Sequence, residues 1–193
     1  MSAQSWVECI ASAQGAGPTL NTFTAAVSAL PTPARHTIPN DDWYIGKVLR
    51  VRAHGAVSNV VTAQPTFTFE FRLGPTSNIV AFSTGALLTS TTAHVNVPWW
   101  LDVMLSCRSI GSGTAGTLMG QSLVTSRAFI DSGLTGDLMT GGHPTLTAPE
   151  TAPAVGAGFD TNSAQIADLF VSCSVSNAAN GVTLHGYTLE TLN

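Results

Sequence analysis

The chain has 193 residues, of which 9% are charged, with a formal net charge of −4 and a single lysine, Lys47. That length suits one domain burying roughly 70% of its unfolded surface, and the shortage of basic residues excludes a nucleic-acid binder that neutralises phosphates with a basic stripe. Ordinary soluble domains carry roughly 25% charge; here 25 Thr and 18 Ser stand in its place, which favours pleated strands and a neutral surface suited to packing against other subunits.

Residues Met1 to Glu8 lack a basic region ahead of an apolar stretch, so no signal peptide is expected. No run approaches the ~20 apolar residues of a membrane span, so no membrane contact is expected and assembly is placed in the cytoplasm. A first strand is expected near 5–13. Residues 14–42, rich in Gly, Pro, Thr and Ala, read as an extended arm or connection. Arg35, Lys47, Arg50 and Arg52 cluster in the sequence, but Asp41 and Asp42 lie among them. They read as a solvated strand face or as partners of an acidic neighbour.

A two-residue apolar period then runs through the chain. Strands are expected near 44–54, 79–83, 87–95, 117–129 and 182–190, besides three clearer ones. In Thr66–Leu73, Phe67, Phe69, Phe71 and Leu73 share one face and Thr66, Thr68, Glu70 and Arg72 the other. Trp99, Leu101, Val103, Leu105 and Cys107 alternate with polar neighbours, and Pro98 is placed just ahead of that strand. Leu169, Val171, Cys173 and Val175 form the third set. The run 166–175, the turn Ser176–Gly181 and the run 182–190 read as a closing β-hairpin.

Turn residues separate these runs, and no segment carries a helical apolar stripe. The expected fold is therefore all-β, a jelly-roll-type antiparallel β-sandwich of about eight strands spanning residues 1–193. It has an extended N-terminal region and one long irregular loop, 131–158, which holds Pro144, Pro149 and Pro153. A loop of this length tends to be functional, and contact with a neighbouring subunit is the expectation.

Chemical motifs are few. Gly111–Gly116 matches the spacing of a dinucleotide loop, but the residues after it read as strand where a phosphate site needs a helix N-terminus. Cys9, Cys107 and Cys173 form no close pair and lie in apolar runs, so buried packing is expected. His36, His54, His94, His143 and His185 show no metal-ligand spacing and read as isolated strand-edge residues. No nucleophile elbow exists, and nothing singles out Asp102, Asp160 or Asp168 as an acid/base pair. No catalytic residue, metal or cofactor is expected. Trp43-Tyr44 and Trp99-Trp100 concentrate the aromatic surface, and in a strand one member of each pair must face inward.

Several blocks recur in an order that resembles the virion proteins of tailed bacteriophages called capsid decoration or minor structural proteins. They are Arg35–Asn40, Gly46–Gly55, Phe69–Gly74, Asn96–Leu101, Ser106–Arg108, Pro153–Thr161 and Leu184–Glu190. The resemblance implies a jelly-roll subunit, a homotrimer, located in the virion, with the major capsid protein or another virion protein as partner. Its leading implication is a non-enzymatic capsid decoration protein that stabilises the shell. The alternative is a tail or fibre-associated module that binds a host surface glycan. Candidate interface or ligand contacts are Trp43, Trp100, His143 and Tyr187.

Overall fold

A computed structural model describes residues 6–62, 64–130 and 145–192. Alternation of large apolar and small polar side chains over runs of five or more residues gives the main strands, because each run has one face to bury. In chain order the strands are β1 (Val7–Ser12), β2 (Thr19–Asn21), β3 (Val27–Ser28), β4 (His36–Ile38), β5 (Val48–Asn59), β6 (Thr66–Leu73) and β7 (Ile79–Ser83). They continue with β8 (Leu87–Thr89), β9 (His94–Ser109), β10 (Thr117–Ser126), β11 (Phe129–Ile130), β12 (Thr145–Ala148), β13 (Gln165–Cys173) and β14 (Gly181–Leu192).

Two antiparallel sheets pack face to face. The front sheet has the order β1-β14-β5-β9-β10-β12, with β2 also on β14. The back sheet has the order β11-β8-β6-β13-β3, with β4 also on β13 and β7 also on β6. The all-β sandwich expected from the sequence is the observed fold. Its interior is aromatic: Trp99 of the front sheet meets Phe69 of the back sheet at 4.8 Å, and Phe129 packs edge-on to Phe67 and Phe69. The glycine-rich loop 111–116 joins β9 to β10 within the front sheet, so strand, and no helix, follows it.

One expectation is corrected. The last two strands do not form a hairpin. β13 pairs with β6 in the back sheet and β14 with β5 in the front sheet, so residues 174–180 arch from one sheet to the other. The partner strands do the same: β5 lies in the front sheet and β6, the next in the chain, in the back sheet. A jelly-roll-like pair of arches results, with two strands side by side in each layer. Both runs carry a full apolar face, and placing them in opposite sheets turns those faces toward each other across the core.

The arches meet at buried Asn180. Its Oδ1 accepts the Val60 N–H at 2.9 Å and its Nδ2 donates to the Val175 carbonyl at 3.3 Å. Asn59 does similar work at the third crossing, donating from Nδ2 to the carbonyls of Ser90 and Thr92, each at 3.1 Å. A sheet change leaves backbone groups without ladder partners, and buried amides supply them.

Two further strand expectations shift. β9 begins at His94, so Pro98 lies inside the strand, opposite Ala56. It is tolerated because β10, on the other side, ends at Ser126, which pairs with Trp99, and Ser126 Oγ bonds the Pro98 carbonyl at 2.8 Å. Cys9 is exposed rather than buried. β1 is an edge strand with an irregularity between Cys9 and Ala11, which turns Cys9 outward. Cys107 and Cys173 are buried, and burial raises both thiols above their ordinary range.

The N-terminal segment lies along its own sandwich. It pairs with β14 through β2, then with β13 through β3 and β4. Between β3 and β4 it lifts away as a short 3-10 turn, Thr32–Ala34. The gap is filled by buried Asp168, which accepts Ser28 Oγ at 2.7 Å and forms an ion pair with Arg35 Nε at 3.0 Å. Within the long loop, residues 145–148 form β12 on the front-sheet edge; residues 131–144 lie outside the described set.

Two predictions follow from this packing. Asn180→Ala strands the Val60 N–H and leaves the Val175 carbonyl with only the Cys173 thiol, and should lower unfolding free energy by about 1–3 kcal/mol in urea titrations; an unchanged midpoint would show that the arches do not depend on it. Desolvation raises the Asp168 carboxyl above its usual range, partly offset by Ser28 and Arg35. The folded state therefore keeps this proton to higher pH than the unfolded chain, so this group's contribution falls as pH rises from about 4 through the folded value. Asp168→Asn should remove that downward component from the stability profile, read from urea midpoints at intervals above about pH 4; an unaltered slope counts against it.

Candidate ligand-binding site

The outer face of the front sheet is built by strand parity. Leu49, Val51, Ala53 and Val57 of β5 are buried, so Arg50, Arg52, His54, Ala56 and Ser58 point outward. On β9, burial of Trp99, Leu101, Val103 and Leu105 turns Pro98, Trp100, Asp102 and Met104 outward. Register then sets the neighbours. Glu190, Arg50, Met104 and Gln121 form one cross-strand row, and Thr188, Arg52, Asp102 and Leu123 the next. Gly186, His54, Trp100 and Thr125 form the third.

Charge on this face is matched internally. Arg50 Nε donates to Asp102 Oδ1 at 2.9 Å while its Nη2 meets Oδ2, and Arg52 Nη2 donates to Glu190 Oε2 at 2.9 Å. Asp102 beside Arg50 raises the guanidinium's pKa above its ordinary value. The cluster of basic residues in the sequence is thus a set of ion pairs: Arg35 with Asp168, Lys47 with Asp42 at 2.8 Å, Arg50 with Asp102 and Arg52 with Glu190.

The third row is different in kind. Trp100 is 46% exposed, and its ring lies parallel to that of exposed His54, with centroids 5.0 Å apart and planes 9° apart. His54 can lie there because Gly186 has no side chain: a Cβ at 186 would stand 2.3 Å from His54 Cε1. Beside Trp100 a hollow of about 200 Å3 is bounded by Pro98, Gly55, Thr125 and Ser126. Leu123 (49% exposed) and Met104 (44%) continue the apolar surface down the face. An exposed indole, held upright by a stacked imidazole and flanked by Thr125, offers an apolar ring with a hydroxyl at its edge. That combination binds ligands that are apolar on one side and hydroxylated on the rim.

Of the candidate contacts named from the sequence, Trp100 alone is placed on this face. Trp43 is a correction: at 7% exposure it is buried, edge-on to Phe159 at 4.8 Å, and Tyr44 is the outward member of that pair. Tyr187 is a second correction, at 3% exposure inside the sandwich. A bulge at His185, where two residues of β14 oppose one of β5, switches the inward set from Val182 and Leu184 to Tyr187 and Leu189. Burial raises the Tyr187 phenol far above its usual range, and its hydroxyl has no hydrogen-bond partner among the described residues. His143 lies outside the described residues. Sequence reasoning missed His54 and Gly186, since only cross-strand register brings them beside Trp100.

Asp102 and Asp168 sit in different sheets and each faces an arginine, so they do not form an acid/base pair. Asp160 Oδ1 accepts the Asn162 N–H at 2.9 Å and holds a turn. Among the described residues no group of three or more His, Cys, Asp or Glu converges as a metal site, and no helix is long and apolar enough to cross a membrane.

No family model matches the chain, and no curated protein matches it. A solved structure of the CBM2 module of the evolved Dit of Lactobacillus casei BL23 phage J-1 is similar over 98% of both chains, with 13% sequence identity and a TM-score of 0.35.

Proposed function

We propose that this chain is a non-enzymatic phage virion module that binds a host surface glycan on the outer face of its front sheet, with Trp100 as the anchor. The observation that carries the reading is the half-exposed Trp100 indole, parallel to His54 beside a hollow edged by Thr125. The C–H face of a sugar ring packs on an indole, and its hydroxyls reach Thr125 at the rim. The virion setting is supported by the ordered sequence blocks from Arg35 to Glu190 that resemble tailed-phage structural proteins.

The other reading, a capsid decoration protein that docks on the major capsid protein as a trimer, is favoured by one observation. Leu123 and Met104 extend the exposed apolar surface beyond Trp100, and aromatic and Met side chains are enriched in protein interfaces. Copy number in purified virions separates the two: a shell-wide number favours decoration, and a small fixed number favours a tail module.

Binding should be measured on an array of bacterial surface glycans with the purified protein. Trp100→Ala should weaken glycan binding by about tenfold or more and leave the thermal midpoint within about 3 °C, as an outward residue. Gly186→Ala should weaken the same binding by displacing His54 from the stack. Tyr187→Phe should leave binding intact. Unchanged binding in Trp100→Ala would reject the platform.

A further inference from the structure

Ala56 and Ser58 follow His54 on the outward side of β5, and they lead to a second hollow, of about 270 Å3, at the arch end of the same face. Its wall is uncharged, with Thr19 and Asn21 from β2, Ser58 from β5, Asn96 from β9 and Thr183 from β14 set among Ala56, Val95 and the small residues Ala178, Ala179 and Gly181. Asn96 is fixed in place. It adopts a left-handed backbone, φ 51°, uncommon for a residue with a side chain. Ser58 Oγ accepts the Asn96 N–H at 2.9 Å and donates to Asn96 Oδ1 at 3.4 Å. Thr183 Oγ1 donates to Thr19 Oγ1 at 3.2 Å, and Asn21 Oδ1 accepts Thr22 Oγ1 at 3.2 Å. The acceptor oxygens of both asparagines are thus engaged, while their Nδ2 groups donate to no protein group among the described residues.

The two hollows share a floor. Ala56 and Pro98 are register partners; Ala56 lines the polar hollow and Pro98 the aromatic one. Neither side chain is tall enough to form a ridge between them. From His54 to Ser58 the track runs four strand residues, about 13–14 Å, longer than a single sugar ring. Neither lining contains an arginine, lysine or carboxylate, and the nearest charges in the adjoining row are already paired.

Resting on the glycan reading, we propose that the polar hollow is a second subsite and that the face takes an uncharged oligosaccharide lying along β5. One ring packs on Trp100, and hydroxyls further along the chain accept from the amides of Asn21 and Asn96. An anionic polymer such as a poly(glycerol phosphate) would need unpaired cations, which the track does not present.

The test uses the purified chain and an array of neutral and anionic bacterial surface glycans, followed by titration of the best neutral oligosaccharide and its monosaccharide. Wild type should prefer the neutral oligosaccharide to both its monosaccharide and poly(glycerol phosphate). Asn96→Gly, which suits the left-handed backbone and so keeps the fold, should weaken the oligosaccharide about 2–10-fold and leave the monosaccharide unchanged. Asn21→Ala should do the same, whereas Trp100→Ala should weaken both. Binding that is lost in Trp100→Ala but equal in Asn96→Gly, Asn21→Ala and wild type overturns the second subsite and leaves the platform standing. Preference for the anionic polymer overturns the neutral ligand class. Absence of any glycan binding by wild type overturns this inference together with the reading beneath it.

Discussion

The crossing of the chain between sheets is the constraint on which the rest depends, and Asn180 holds two crossings with one side chain. Once β5 and β14 leave their arches side by side, their register is set from Gly181 opposite Ser58 to Leu192 opposite Val48. That register, with the bulge at His185, places Gly186 against His54. The front face therefore inherits the platform of Trp100 and His54 from a buried polar contact at the end of the sandwich. A slip of one residue would reverse which side chains face out.

Low charge shapes the same face in a second way. Lys47 is almost wholly buried, yet its ammonium reaches Asp42 at the surface, and this pins the turn that leads into β5. Each basic residue of the 35–52 region has a carboxylate beside it, so little net field emerges from the front sheet. What the surface offers to a partner is shape, apolar area and hydroxyls. Ligands recognised through such groups are themselves close to neutral, and their binding varies little with salt because few exposed charges take part.

Alternation made most strands legible in the sequence, together with the inward direction of Phe67, Phe69, Phe71, Trp99 and Leu169. It also showed that only one of Trp99 and Trp100 could face outward. Alternation says nothing about which sheet a strand joins, so the last two runs read as a hairpin when they form an arch. Bulges defeat parity: Tyr187 lies past the one at His185, and Cys9 beside the irregularity in β1. Trp43 lies before β5, in a turn where no parity applies, and the edge of Phe159, far away in sequence, covers it. The pairing of His54 with Trp100 depends on register between β5 and β9, which no local pattern encodes.

The long antiparallel ladder between β5 and β14 also has a mechanical meaning. Val7 pairs with Leu192 at one end of the front sheet, while Ser58 and Gly181 stand at the other end, beside the polar hollow. Tension between the Val7 end and anything held at that hollow acts along the strand axes. It loads the ladder hydrogen bonds in shear, all at once, where a pull across the strands would open them one after another. The front sheet thus resists force better along its strands than across them.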